Sequence, residues 1–171
     1  MNTLGPAHAV RAFLPLLRAG GGRVINISAP TARVPMPYLA ALSGSKAALS
    51  AMSAALRLEL ADWNIPVIVV EPGATDTRIF AKAEAAAKMS LSTADPGRLA
   101  LYERQLAAVA TASARQRTAP VDSVAKTIAA AVRAPKPRRH YTAGVEARMA
   151  GLLAGLPAGV KERLITRLLG L

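Results

Sequence analysis

Two short runs, Arg23–Ser28 (RVINIS) and Ile65–Val70 (IPVIVV), are β-branched and largely apolar, without the strict alternation of a half-exposed strand. A strand of that kind is buried on both faces, as in a parallel sheet covered by helices. Between the two runs, Tyr38–Asp62 has helical periodicity, with Leu42, Leu49, Met52, Leu56 and Leu60 on one face. Ala40, Ser43, Ala47, Ser50 and Ala54 form a second seam of small residues, open to the close approach of another helix. Strand, crossover helix and strand in this order are the unit from which parallel sheets are built.

The pattern continues on both sides. Pro6–Ala19 reads as a helix with Val10, Phe13, Leu14 and Leu17 on its inner face, stopped by Gly20-Gly21-Gly22. Thr75–Thr118 is Ala-rich and helical, with a break at Pro96-Gly97, and Val121–Val132 is a helix whose start is marked by Pro120 and Asp122. Arg139–Ala143 supplies a third strand, and Ala147–Leu171 is an amphipathic helix interrupted near Gly155–Pro157. The expected architecture is α/β: a doubly wound parallel sheet of about three strands with flanking helices and a helical C-terminal tail. No repeat or linker divides it, so 1–171 is one domain, with its α/β part over 1–143 and its tail over 144–171.

Composition excludes several chemistries. The 171 residues are enough to bury a core without staples. They include no cysteine, hence no disulfide framework, thiol nucleophile or Cys-based zinc site. His8 and His140 alone are too few for a histidine cage, so no metal site is expected. The net charge of +12 favours acidic partners in general. The basic residues are scattered, however, apart from Arg133–His140 (RAPKPRRH), and no recognition module or interleaved aromatics accompany them. Specific nucleic-acid binding is not expected. Arg11 and Arg18 interrupt the apolar N-terminal stretch, no long uncharged apolar run follows, and the default expectation is a cytoplasmic protein.

Four segments carry a family resemblance. They are Asn2-x-x-Gly5 ahead of a helix with Leu14-Pro15, Gly21–Ser28 (GGRVINIS), Ser45-Lys46-Ala47-Ala48-Leu49, and Glu71-Pro72-Gly73-x-x-x-Thr77. In this order and spacing they resemble the back half of the short-chain dehydrogenase/reductase domain, and the helical tail is similar to retinol- and steroid-type members. The resemblance implies a partial Rossmann-like fold, NAD or NADP as cofactor, and hydride transfer between the cofactor and an alcohol or carbonyl, with a lipid-like substrate. By the same resemblance Lys46 binds the nicotinamide ribose and lowers the pKa of a catalytic tyrosine, and Asn2 holds a water of the proton relay. Pro72, Gly73, Thr75 and Thr77 meet the nicotinamide end, and self-association runs through the helices 6–19 and 38–62.

Two departures set this chain apart. The family's tyrosine lies four residues before its lysine, and that position is Leu42; its serine lies thirteen residues earlier still, at Ala29. Tyr38 and Ser28 are near these places without occupying them. The family's opening strand, its Thr-Gly-x-x-x-Gly-x-Gly turn and its Asn-Asn-Ala-Gly segment have no counterpart in these residues. Gly20-Gly21-Gly22 follows a helix and enters a strand, the reverse of a phosphate-cradling turn. The expectation is an N-terminally truncated pseudoenzyme, dehydrogenase by ancestry, with a self-associating subunit or binding module as the alternative role. Each residue also has a structural reading. The Lys46 stem can lie on apolar surface with its ammonium in water, Asn2 can be a frayed terminus, and Pro72–Thr77 can be an ordinary strand-to-helix turn. The tail helix Val160–Leu171 is suited to an anionic membrane surface, to covering an apolar substrate site, or to packing at the domain edge.

Overall fold

The computed structural model describes residues 2–171. Three strands, β1 (Val24–Ile27), β2 (Val67–Pro72) and β3 (His140–Ala143), form a parallel sheet in the order β1-β2-β3. Val24 is in register with Val67 and Val70 with Tyr141. The connections are helical: α1 (Leu4–Gly20) precedes β1, and α2 (Ala40–Glu59) joins β1 to β2. α3 (Ile79–Ser92), α4 (Pro96–Ala100), α5 (Glu103–Ala114) and α6 (Val121–Arg133) lie between β2 and β3. α7 (Val145–Ala154) and α8 (Ala158–Leu169) form the tail.

Alternation along the strands divides the core into two faces. On one, Val24 and Val67 pack with Val10 of α1 and with Leu60 and Ile65, and Leu14, Leu17 and Leu56 close the edge. On the other, Ile68, Val70 and Tyr141 pack against Ala131 and Ile128 of α6. β2 is therefore buried on both sides, as its uninterrupted apolar run requires. A third cluster, Val34 with Ala150 and Ile165, attaches the tail, and Leu169 joins its margin. α8 is thus packed at the domain edge through Ile165 and Leu169, while Val160, Leu164 and Leu168 face outward.

Three local expectations are corrected. Phe13 is exposed, since α1 turns Val10, Leu14 and Leu17 inward. Ser43 and Ser50 of the small-residue seam face the molecule's own interior: Ser43 is buried, and Ser50 bonds Ser28 at the end of β1. α2 rotates this way because β1 carries polar groups on that face, and Asn26 donates to Ser53 Oγ at 2.8 Å. Leu42 is correspondingly turned outward rather than into the core. The segment Thr75–Thr118 breaks twice, after Ser92 and after Ala100, and Asp95 caps α4 by accepting from the Arg98 amide at 2.9 Å. None of α3, α4 or α5 buries a residue fully, because alanine gives helix without an apolar stripe.

One charged group lies at the centre. Glu71, the penultimate residue of β2, is 1 % exposed. Its Oε2 accepts from Arg33 Nε at 3.0 Å and from Arg33 Nη2, and its Oε1 lies 2.9 Å from His140 Nε2 of β3. Arg33 also passes over Gly151 of α7, where a Cβ would come within 3.4 Å of its guanidinium. A carboxylate this deeply buried is tolerated only when paired. Arg33→Ala is expected to destabilise the fold by about 3 kcal/mol, the low end for breaking a buried pair because Arg33 is itself partly exposed. Urea unfolding measures it, and a loss under about 1 kcal/mol would show that Glu71 does not depend on this partner.

Candidate functional site at the carboxyl end of the sheet

Lys46 sits in the second turn of α2, half-buried, and its Nζ donates to the Ile27 carbonyl at 2.8 Å. The amides of Val24 and Ser28 bond Pro66 and Val70 of the neighbouring segment. The two-residue alternation of the strand then aims the Ile27 carbonyl at the outer edge of β1. Lys46 therefore caps a carbonyl that the sheet leaves free, and its ammonium is not wholly in water. One of its three protons is committed, leaving two. Desolvation lowers its pKa from 10.5.

The groups around it are engaged with one another. Ser28 Oγ donates to the Lys46 carbonyl at 3.2 Å and lies 2.8 Å from Ser50 Oγ. Ser45 Oγ donates to the Leu42 carbonyl at 2.9 Å and accepts from Asn2 Nδ2 at 3.1 Å, and Thr3 Oγ1 donates to the Ser45 carbonyl at 3.0 Å. Asn2 is thus tied to α2 beside Lys46. Leu42, one turn before Lys46, offers no hydroxyl, and Ala29 is the cap of a 3-10 turn over Pro30–Ala32.

The loop leaving β2 is held by its neighbours. The Gly73 amide donates to the Ala143 carbonyl at 2.7 Å. A Cβ on Gly73 would fall 2.7 Å from Glu146 Oε2, so the missing side chain makes room for that carboxylate. Glu146 also accepts from the Ala74 amide at 3.2 Å, and Thr75 Oγ1 donates to the Gly73 carbonyl at 2.9 Å. Thr75 pairs with Ala119, whose amide bonds the Ala74 carbonyl at 2.8 Å. Thr77, exposed, accepts from the Ile79 amide at 3.4 Å at the start of α3. Lys46 and Asn2 are brought together, and Pro72, Gly73, Thr75 and Thr77 follow the adjacent strand as a separate loop.

Beside that loop opens a cleft of about 780 Å³, walled by the segment from Met36 to Leu39, the end of α5 with Arg115–Ala119, the start of α7, and Leu169. Tyr38 at its wall has φ 61°, a left-handed conformation that is an outlier for a bulky residue. Sequence reasoning missed Glu71 with Arg33 and His140, and Glu146 against Gly73. A carboxylate closing the apolar run IPVIVVE was the available signal for the first, and nothing local announced the second. Among the described residues no cluster of three or more His, Asp or Glu side chains is arranged to hold a metal, and no helix is long and apolar enough to cross a membrane.

Lysine at the exit of one parallel strand and a Pro-Gly loop at the exit of the next define the carboxyl-end crevice of an open α/β sheet, where such domains bind ligands. The family model "short chain dehydrogenase" matches residues 1–88, and the chain belongs to that family. It is 37% identical over 95 residues to estradiol 17-beta-dehydrogenase 2 of Rattus norvegicus, covering 56% of this chain and 25% of that protein. It is 40% identical over 79 residues to human 17-beta-hydroxysteroid dehydrogenase type 2, covering 46% and 20%. A short chain dehydrogenase from Burkholderia cenocepacia in complex with NADP superposes with TM-score 0.65 at 28% identity, over 98% of this chain and 57% of that one. A short-chain dehydrogenase from Streptomyces avermitilis gives 0.65 at 26%, over 97% and 59%. The chain spans a quarter or less of those two steroid dehydrogenases and somewhat over half of those two structures.

Two outcomes are expected from this geometry. The lowered Lys46 pKa means that, between it and 10.5, the unfolded chain binds more protons, so stability rises with pH across that window. The stability difference between the native chain and Lys46→Met should therefore grow in favour of the native chain as pH climbs toward 10.5, and a flat difference would contradict the desolvation. Tyr38→Gly should raise stability by up to about 1 kcal/mol in thermal or urea unfolding by relieving the left-handed backbone. A loss of stability would show that the Tyr38 side chain contributes more than its backbone costs.

Proposed function

We propose that this chain carries the nicotinamide-side half of a short-chain dehydrogenase domain and does not itself transfer hydride. The observation that carries the reading is Leu42 one helical turn before Lys46, with the neighbouring Ser28 hydroxyl already bonded to Lys46 and Ser50. Reduction of a carbonyl needs a proton delivered as hydride arrives, and a positioned acid contributes about 10²–10⁴-fold. No tyrosine or serine stands where the family places that acid and its partner; Leu42 and Ala29 do.

The family's cofactor is NAD or NADP, and the residues fit only one end of it. Lys46 has two ammonium protons free of the Ile27 carbonyl to meet a ribose, and Pro72, Thr75 and Thr77 line the adjacent turn. Gly73, in contrast, has its open side taken by Glu146. The glycine run Gly20–Gly22 ends α1, with Gly21 as left-handed cap and Gly22 packed on Leu17. Assays of NADH and NADPH oxidation with a steroid ketone, and of NAD and NADP reduction with estradiol, should give no rate above buffer. Leu42→Tyr with Ala29→Ser should likewise restore none, because the glycines Gly21, Gly22 and Gly73 among the described residues are taken up within the fold and cradle no pyrophosphate. Turnover by the parent chain, or by the double variant, would overturn the reading.

A second role, self-association through α1 and α2, is favoured by the apolar side chains these helices turn to solvent. Phe13 and Leu16 on α1 and Leu58 on α2, the last 80 % exposed, are turned to solvent. β1 adds an outer edge that pairs with no strand among the described residues. Light scattering at tens of micromolar should report a dimer or larger species, and a monodisperse monomer would exclude this role.

A further inference from the structure

We infer that the cleft beside the β2 exit loop is a binding site for an amphipathic anion, an alkyl chain ending in a carboxylate. The inference rests on the reading above only in treating the site as one that binds without reaction. The cleft has the volume of a small-molecule site, about 780 Å³ against the usual ~300–1,000 Å³. Its walls are mostly apolar: Met36 and Leu39 from the loop after β1, Val109 from α5, and Leu169 from α8. Such a surface binds a hydrocarbon by removing apolar area from water.

The polar groups are placed unequally. Arg115 and Arg117 line the cleft on the segment after α5, and among the described residues neither forms a salt bridge. Glu146, on the wall formed by the start of α7, is the acidic group of the lining, and its Oε2 already accepts from the Ala74 amide. Two unpaired guanidiniums beside an apolar wall select a ligand with one anionic end, because a guanidinium pairs a carboxylate through two parallel hydrogen bonds. A neutral alcohol of the same length would gain only the apolar part, and a cationic amphiphile would meet like charge. The head group belongs beside Arg115 and Arg117.

The walls of the site are tied to the sheet by hydrogen bonds. Arg33 anchors the loop to Glu71, and the Ala119 amide ties the arginine segment to Ala74. Tyr38 at the wall keeps the left-handed backbone described above, a conformation that clusters at ligand sites.

The test is calorimetric titration of the purified chain with dodecanoate below its micellar range, with dodecanol and dodecyltrimethylammonium as matched probes. Saturable binding of dodecanoate is expected, at least about tenfold tighter than either matched probe. Arg115→Gln with Arg117→Gln should weaken dodecanoate about tenfold or more and leave dodecanol unchanged. Both arginines are exposed and unpaired, so thermal unfolding of that variant should match the parent's. Val109→Trp, which fills the cleft, should weaken dodecanoate and dodecanol together. No saturable binding, equal affinity for acid and alcohol, or an unchanged affinity in either variant would overturn the inference. None of these outcomes bears on hydride transfer, which the oxidation assays test separately.

Discussion

The buried carboxylate of Glu71 is the constraint around which the carboxyl end of this sheet is arranged. A charge at 1 % exposure must be neutralised where it stands, and Arg33 reaches it from the loop between β1 and α2. That reach fixes the path of the loop that goes on to Met36, Tyr38 and Leu39, and so fixes one wall of the cleft. His140 approaches the same carboxylate from β3, and Arg33 lies on Gly151 of α7. One ion pair thereby couples two strands, a loop and the tail. The Pro72–Thr77 turn starts at the next residue, held in its turn by Ala143, Glu146 and Ala119.

The second constraint is the open side of β1. Its Ile27 carbonyl faces away from β2, and Lys46 supplies a donor to it. This gives the lysine a structural role that stands whether or not it meets a ribose. With Leu42 one turn before it, Lys46 still has a partner: the ammonium satisfies a backbone group that would otherwise be left to solvent. Ser28 and Ser50 are likewise bonded to each other beside it, at 2.8 Å.

Much of this was legible beforehand because the signals were strong in kind. RVINIS and IPVIVV could be little else than buried parallel strands, and β1, β2 and β3 lie within a few residues of where periodicity put them. The Gly20–Gly22 stop is there, with Gly21 in the left-handed cap. What stayed hidden was set by rotation and by long-range pairing. Leu42 and Phe13 belong to helical faces that the sequence makes apolar, yet the buried face of α2 is chosen by Asn26 on β1 and Ser28 just after it, which bond Ser53 and Ser50. Glu71 with Arg33 joins residues 38 apart, and Glu146 reaches Ala74 over a separation of 72; no local pattern encodes either. The motif residues were found by resemblance, while their partners appear only in three dimensions.

The claim that matters most is that the fold persists without the cofactor chemistry of its family. Fluorescence titration of the purified chain with NADH and with NADPH tests it directly. No saturable signal is expected up to millimolar dinucleotide, because Lys46 and the Pro72–Thr77 loop would engage only one end of the molecule. Saturation in the micromolar range would contradict it, and would mean that these residues still complete a dinucleotide site.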